Sequence, residues 1–156
     1  MLKIAWSPYY AHPLPEGHRF PMEKYNLIPE QLLYEGTIEE DNLFEPDVLT
    51  EEEVLLTHVR DYWEKLKCQT LTPREIRKTG FPLSERLVHR EINIGKGTWM
   101  GTRFARQHGV AMNISGGTHH AFTNRGEGFC LLNDIAMAAN LLLQEQPDLQ
   151  ILVVDL

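Results

Sequence analysis

Two adjacent histidines, His119 and His120, stand in the string Gly116-Gly117-Thr118-His119-His120-Ala121-Phe122. Imidazole titrates near neutrality, so a pair of rings facing one cleft can take up and return a proton around neutral pH. The paired glycines permit the tight turn that would bring both rings to one side. A second string, Gly126-Glu127-Gly128-Phe129-Cys130-Leu131-Leu132-Asn133-Asp134, follows closely. Spacing alone leaves other readings open, because solvent-exposed histidines or incidental metal ligands would give the same pair.

Aiming such a pair takes a strand before it and a helix after it. Val110 to Ser115 reads as a buried strand, with Gly109 as the C-cap of whatever helix precedes it. Asn133 can cap a helix running through Ile135, Ala138, Leu141 and Leu142, with Pro147 just beyond. Ile151 to Leu156 is a continuous apolar run with Asp155 near its end, the pattern of a parallel strand covered on both faces. Residues 110–156 therefore read as one βαβ unit, right-handed, with its site beyond the carboxyl ends of the strands.

Upstream, Leu2 to Ser7 is β-prone and leads into a loop rich in Tyr, His, Pro and Gly that runs to Pro21. Met22 to Tyr34 suggests a helix started or interrupted by Pro29. Thr50 before Glu51, Glu52 and Glu53 has the form of a capping box opening a short helix. Val59, Tyr62, Trp63 and Leu66 recur at helical spacing and are placed on one core-facing stripe. Ser84 opens a further helix that continues to Ala105 through Gly95, Gly97 and Gly101, glycines that permit close approach at some cost in helix propensity.

At 156 residues the chain fits one domain, and a chain of this size buries roughly two thirds of its unfolded surface. Apolar residues are 42% and charged residues 24% of the total, the profile of a globular protein. The net charge of −7, without any dense basic run, disfavours direct nucleic-acid binding. An acidic surface suits a cationic substrate such as a lysine-bearing peptide or a polyamine, and it is equally the ordinary way to stay soluble. Only Cys68 and Cys130 are present, with no paired spacing, which argues for a reducing compartment. No leader-like or membrane-spanning run stands out, so a cytoplasmic location is expected.

The string GGTHHAF followed by GEGFCLLND resembles the signature of the histone deacetylase family, within the arginase/deacetylase fold. The resemblance extends upstream through GHRFPMEKY at 17–25, LTHVRDYWEKL at 56–66 and GFPLSERL at 80–87, strings most similar to the class IV-like or bacterial deacetylase-like branch. It implies an α/β fold, a three-layer αβα arrangement around a mainly parallel sheet, incomplete in this chain. Residues 1–156 would be the amino-terminal part of a single deacetylase domain. The implied activity is zinc-dependent removal of acetyl or longer acyl groups from lysine or a related amine, on an acyl-lysine peptide or a small acylated amine such as an acetylpolyamine.

The resemblance also implies roles. His119 would act as electrostatic catalyst and His120 as general base, then general acid, with Asp155 fixing the His119 imidazole. Gly128 and Phe129 would line the channel that grips the acyl-lysine stem, and Arg19 an internal channel near the product acetate. Phe129 as a plain core ring and Arg19 as a solvated loop cation are the competing readings. Cys130 reads as inert packing, and Asn133 and Asp134 as helix caps.

In relatives the strand ending in Asp-Leu continues into an Asp-x-His segment that supplies zinc ligands, with a further Asp and a Tyr much later. None of these is present here. His12, His18, His58, His89 and His108 form no three-ligand spacing, so no metal ligand is assigned within this chain. The expectation is a fragment of a longer enzyme, inactive alone, whose last strand lacks a neighbour and so self-associates. The competing reading is a non-catalytic binding or assembly module on the same scaffold.

Overall fold

Three short strands form a parallel sheet in the order β2-β1-β3, where β1 is Lys3–Ala5, β2 is Leu43–Phe44 and β3 is Ala111–Asn113. This arrangement comes from a computed structural model that describes residues 1–155. Ile4 pairs with Leu43 on one side and Met112 on the other, so β1 is central. Its Ile4 and Ala5 are buried, as a parallel strand covered on both faces requires.

The helices are α1 (Lys24–Tyr34), α2 (Glu51–Leu55), α3 (Arg60–Lys67), α4 (Pro73–Thr79), α5 (Glu85–His108) and α6 (Asp134–Glu145). A 3-10 turn at Glu40–Asn42 leads into β2. Pro29 lies inside α1 and leaves the Tyr25 carbonyl without its helical donor. The Trp6 indole N–H donates to that carbonyl at 2.8 Å, tying α1 to the segment after β1. Thr50 and Glu53 form the expected capping box of α2, and Thr72 and Glu75 form another that starts α4.

The long helix α5 runs unbroken through its glycines and packs on β1, β3 and α6. A Cβ at Gly95 would lie 2.6 Å from Leu49 Cδ1 and 2.7 Å from Met137 Cε. Close approach thus offsets the helix penalty of about 1 kcal/mol that glycine carries. The core between helices and sheet holds Tyr10, Tyr25, Leu49, Tyr62, Trp63, Phe81, Leu87, Ile94, Leu131 and Met137, among others.

Three expectations differ from the structure. The run expected as a buried strand at 110–115 is the short edge strand β3, with Val110 52% and Met112 56% exposed because no strand lies on its outer side among the described residues. Val59 is the N-cap of α3 and 42% exposed, so it does not share the buried face of Tyr62, Trp63 and Leu66. Helical spacing is blind to the extended backbone that a capping position adopts. The run expected as a strand at 151–156 pairs with no other strand over residues 151–155, and Leu156 lies outside the described residues. Ile151 to Val154 lie beside Thr98, Ile135, Ala138 and Leu142 of α5 and α6 and remain exposed, Leu152 by 86%. An all-apolar parallel strand is stable only when both faces are covered and ladder partners are at hand, and neither condition is met. The remaining α/β architecture is a parallel sheet with helices, an incomplete αβα domain. Among the described residues no helix is long and apolar enough to cross a membrane.

Candidate active site

The histidine pair follows β3 and is held in place by the first turn of α6. Gly116 turns the chain at φ +70°, and a Cβ at Gly117 would press to 2.9 Å from Ile135 Cδ1. The Thr118 amide N–H donates to Asp134 Oδ1 at 2.6 Å and its hydroxyl to the same oxygen at 2.8 Å. From α5 the Thr98 hydroxyl donates to Asp134 Oδ2 at 2.5 Å. Asp134 is 1% exposed, so its charge is balanced by these donors and by its place at the positive end of α6.

Asn133 caps α6 through Oδ1, which accepts from the Ala136 amide. Its Nδ2 donates to the carbonyls of His119 at 3.2 Å and Ala121 at 3.0 Å. The sequence explained Asn133 and Asp134 as caps alone. Their grip on the histidine loop crosses 12 to 16 positions of sequence and has no periodic signal.

The rings of His119 and His120 are 4.3 Å apart between centroids, inclined at 48°. His119 Nε2 lies 3.5 Å from Asp155 Oδ2, the side chains being 37% and 73% exposed. This is ion-pair separation, longer than an ordinary N–H···O hydrogen bond. Gly128 faces His120, since a Cβ there would lie 3.2 Å from His120 Cγ. His119, His120, Asp155 and Gly128 therefore gather at one place.

Phe129 adopts φ +67°, a left-handed conformation uncommon for a side chain of its size. The end of α4 holds it there: the Gly128 amide donates to the Lys78 carbonyl at 3.1 Å and the Phe129 amide to Thr79 at 2.7 Å. The half-buried ring contacts Phe20 and Phe81, with centroids 5.0 and 5.1 Å away. Arg19 is exposed and sets its guanidinium carbon 5.0 Å from the Phe129 ring centre. The fully buried arginine is Arg90, which donates to the Tyr10 carbonyl at 2.7 Å and pairs with Glu91. Glu91 Oε2 accepts from the Leu131 amide at 3.2 Å, and burial raises its pKa. A carboxylate three residues before Ile94 and four after Leu87 on an apolar helix stripe was the available signal.

Burial pushes the Cys130 thiol up to about 11, which makes it a poor nucleophile at neutral pH. No group of three or more His, Cys, Asp or Glu side chains among the described residues could hold a metal ion, so these residues do not make a zinc site by themselves.

Residues 18–156 match the histone deacetylase domain. An uncharacterised protein of Picosynechococcus is 39% identical over 153 residues, covering 98% of this chain and 51% of that protein. The acetoin utilization protein AcuC of Staphylococcus aureus is 28% identical, covering 90% of this chain and 38% of its own length. Among solved structures, an HDAC homologue from Aquifex aeolicus superposes with a TM-score of 0.74 at 26% identity, over 93% of this chain and 42% of that one. An HDAC homologue complexed with SAHA gives 0.76 at 25% identity, with the same coverage. The chain thus spans about half the length, or less, of these relatives. With the match running through both the histidine loop and the Gly-Phe-Cys loop, the chain belongs to the histone deacetylase family.

Proposed function

We propose that the protein to which this chain contributes is a zinc-dependent amidohydrolase that removes acetyl or longer acyl groups from lysine or a related amine. The zinc of this proposal is held by residues outside the described ones. His120 takes a proton from water as the water oxygen bonds to the amide carbon. It returns that proton to the amine nitrogen as the carbon–nitrogen bond breaks, leaving a carboxylic acid and a free amine, which at neutral pH become carboxylate and ammonium by passing the acid's proton to the amine. His119, beside Asp155, stabilises the charge that develops, and the carboxylate orients the imidazole. Gly128 and Phe129 form the wall against which the acyl-lysine stem lies, with the Arg19 guanidinium over the Phe129 ring.

The observation that carries this reading is the gathering of two imidazoles, one beside a carboxylate and the other against the backbone of Gly128. The full-length protein, given a panel of acetyl-lysine and fatty-acyl-lysine peptides and acetylpolyamines, is expected to hydrolyse at least one and to be inhibited by SAHA. Absence of turnover across the panel in zinc-supplemented protein would favour a non-catalytic module instead.

A further inference from the structure

His58 lies in the turn between α2 and α3, outside both loops of the site, and is 1% exposed. The Asn133 amide N–H donates to its Nε2 at 3.0 Å, so that nitrogen carries no proton. The protonated Nδ1 faces the carbonyls of Phe122 and Thr123 without closing a hydrogen bond. Asn133 then reaches the site directly, because its Nδ2 holds the carbonyls of His119 and Ala121, the residues on either side of His120.

The turn carrying His58 is itself fastened to both partners. The Val59 amide donates to the Thr123 carbonyl at 3.0 Å, and Asn140 of α6 donates to Leu56 and Thr57 at 3.2 and 2.9 Å. A single imidazole therefore links a rigid turn to the backbone bracket around His120.

We propose that His58 is a positioning residue for the histidine pair, fixing the register of His120 through Asn133. This rests on the reading of His120 as the proton-transfer group. Burial lowers the pKa of His58 and so keeps it in the neutral form that accepts from Asn133.

The test uses the full-length protein and three variants. His58→Phe keeps the ring and loses the acceptor, whereas His58→Gln restores an acceptor close to the former Nε2. Asn133→Asp keeps the cap on Ala136 and loses the donor to His119 and Ala121. His58→Phe and Asn133→Asp should each shift the NMR signals of the His119 and His120 rings. Each should also lower kcat about tenfold or more with KM changed less than about twofold, while His58→Gln stays near wild type. Unchanged ring signals in a folded His58→Phe or in Asn133→Asp would overturn the proposal, as would His58→Gln behaving like His58→Phe. If His58→Phe does not fold, Asn133→Asp decides. If the wild-type protein turns over no acyl amine, the ring signals decide alone, since they report positioning without catalysis.

Discussion

His119 and Asp155 stand at ion-pair distance with the carboxylate largely in solvent. An exposed pair of this kind contributes about 0–1 kcal/mol to stability, so Asp155 contributes little to folding. The stability-determining histidines are the buried ones. Burial, followed by the charges of Arg90 and Arg86, brings His12 down to about 4 from 6.5, and burial lowers His58 as well. Between those values the unfolded chain binds a proton that the folded chain does not. Stability is therefore full above the unfolded pKa and falls as pH drops toward the folded one. For His12 the loss is on the order of 3 kcal/mol. Urea midpoints should fall from pH 7 to pH 4.5, and less steeply in His12→Phe; an identical pH slope in that variant would contradict the assignment. Nothing in the sequence marked His12 as a buried group, because its neighbours are loop residues without period.

At the scale of elements, the local signals were legible and the long-range ones were not. Thr50, Ser84 and Asn133 announce their helices because a cap and the amide it accepts from lie within one turn. Thr72-Pro73-Arg74-Glu75 carries the same signal for α4, with proline at the first helical position. The Leu43–Phe44 strand is too short for any alternation to show. The run at 151–155 has strand composition but no partner, and composition cannot supply the pairing. In the site, the histidines could be picked out from their own string, and Gly128 and Asp155 from the resemblance. Asp134, however, joins β3's loop to α5 and α6 through contacts that only the fold creates. Asp134→Ala would strand the buried Thr118 amide and the Thr98 hydroxyl. Stability should drop by roughly 3 kcal/mol or more, measured by urea unfolding; a loss under about 1 kcal/mol would mean that the loop is held mainly by Asn133.

For the whole molecule, the 156-residue chain leaves the apolar side chains of Ile151 to Val154 exposed beside α5 and α6, and Val110 and Met112 exposed at β3, an edge strand of the described sheet. Strand edges and apolar runs of this kind associate. This chain by itself should show a mass that rises with concentration in light scattering; a constant monomer mass would contradict that expectation. In the reaction proposed for the full-length protein, His120 transfers the proton beside His119. The most direct test of that role is the rate of acetyl-lysine hydrolysis by wild type and His120→Ala at neutral pH. Loss of the general base should lower kcat by about 10²–10⁴-fold, and a variant as fast as wild type would contradict the account.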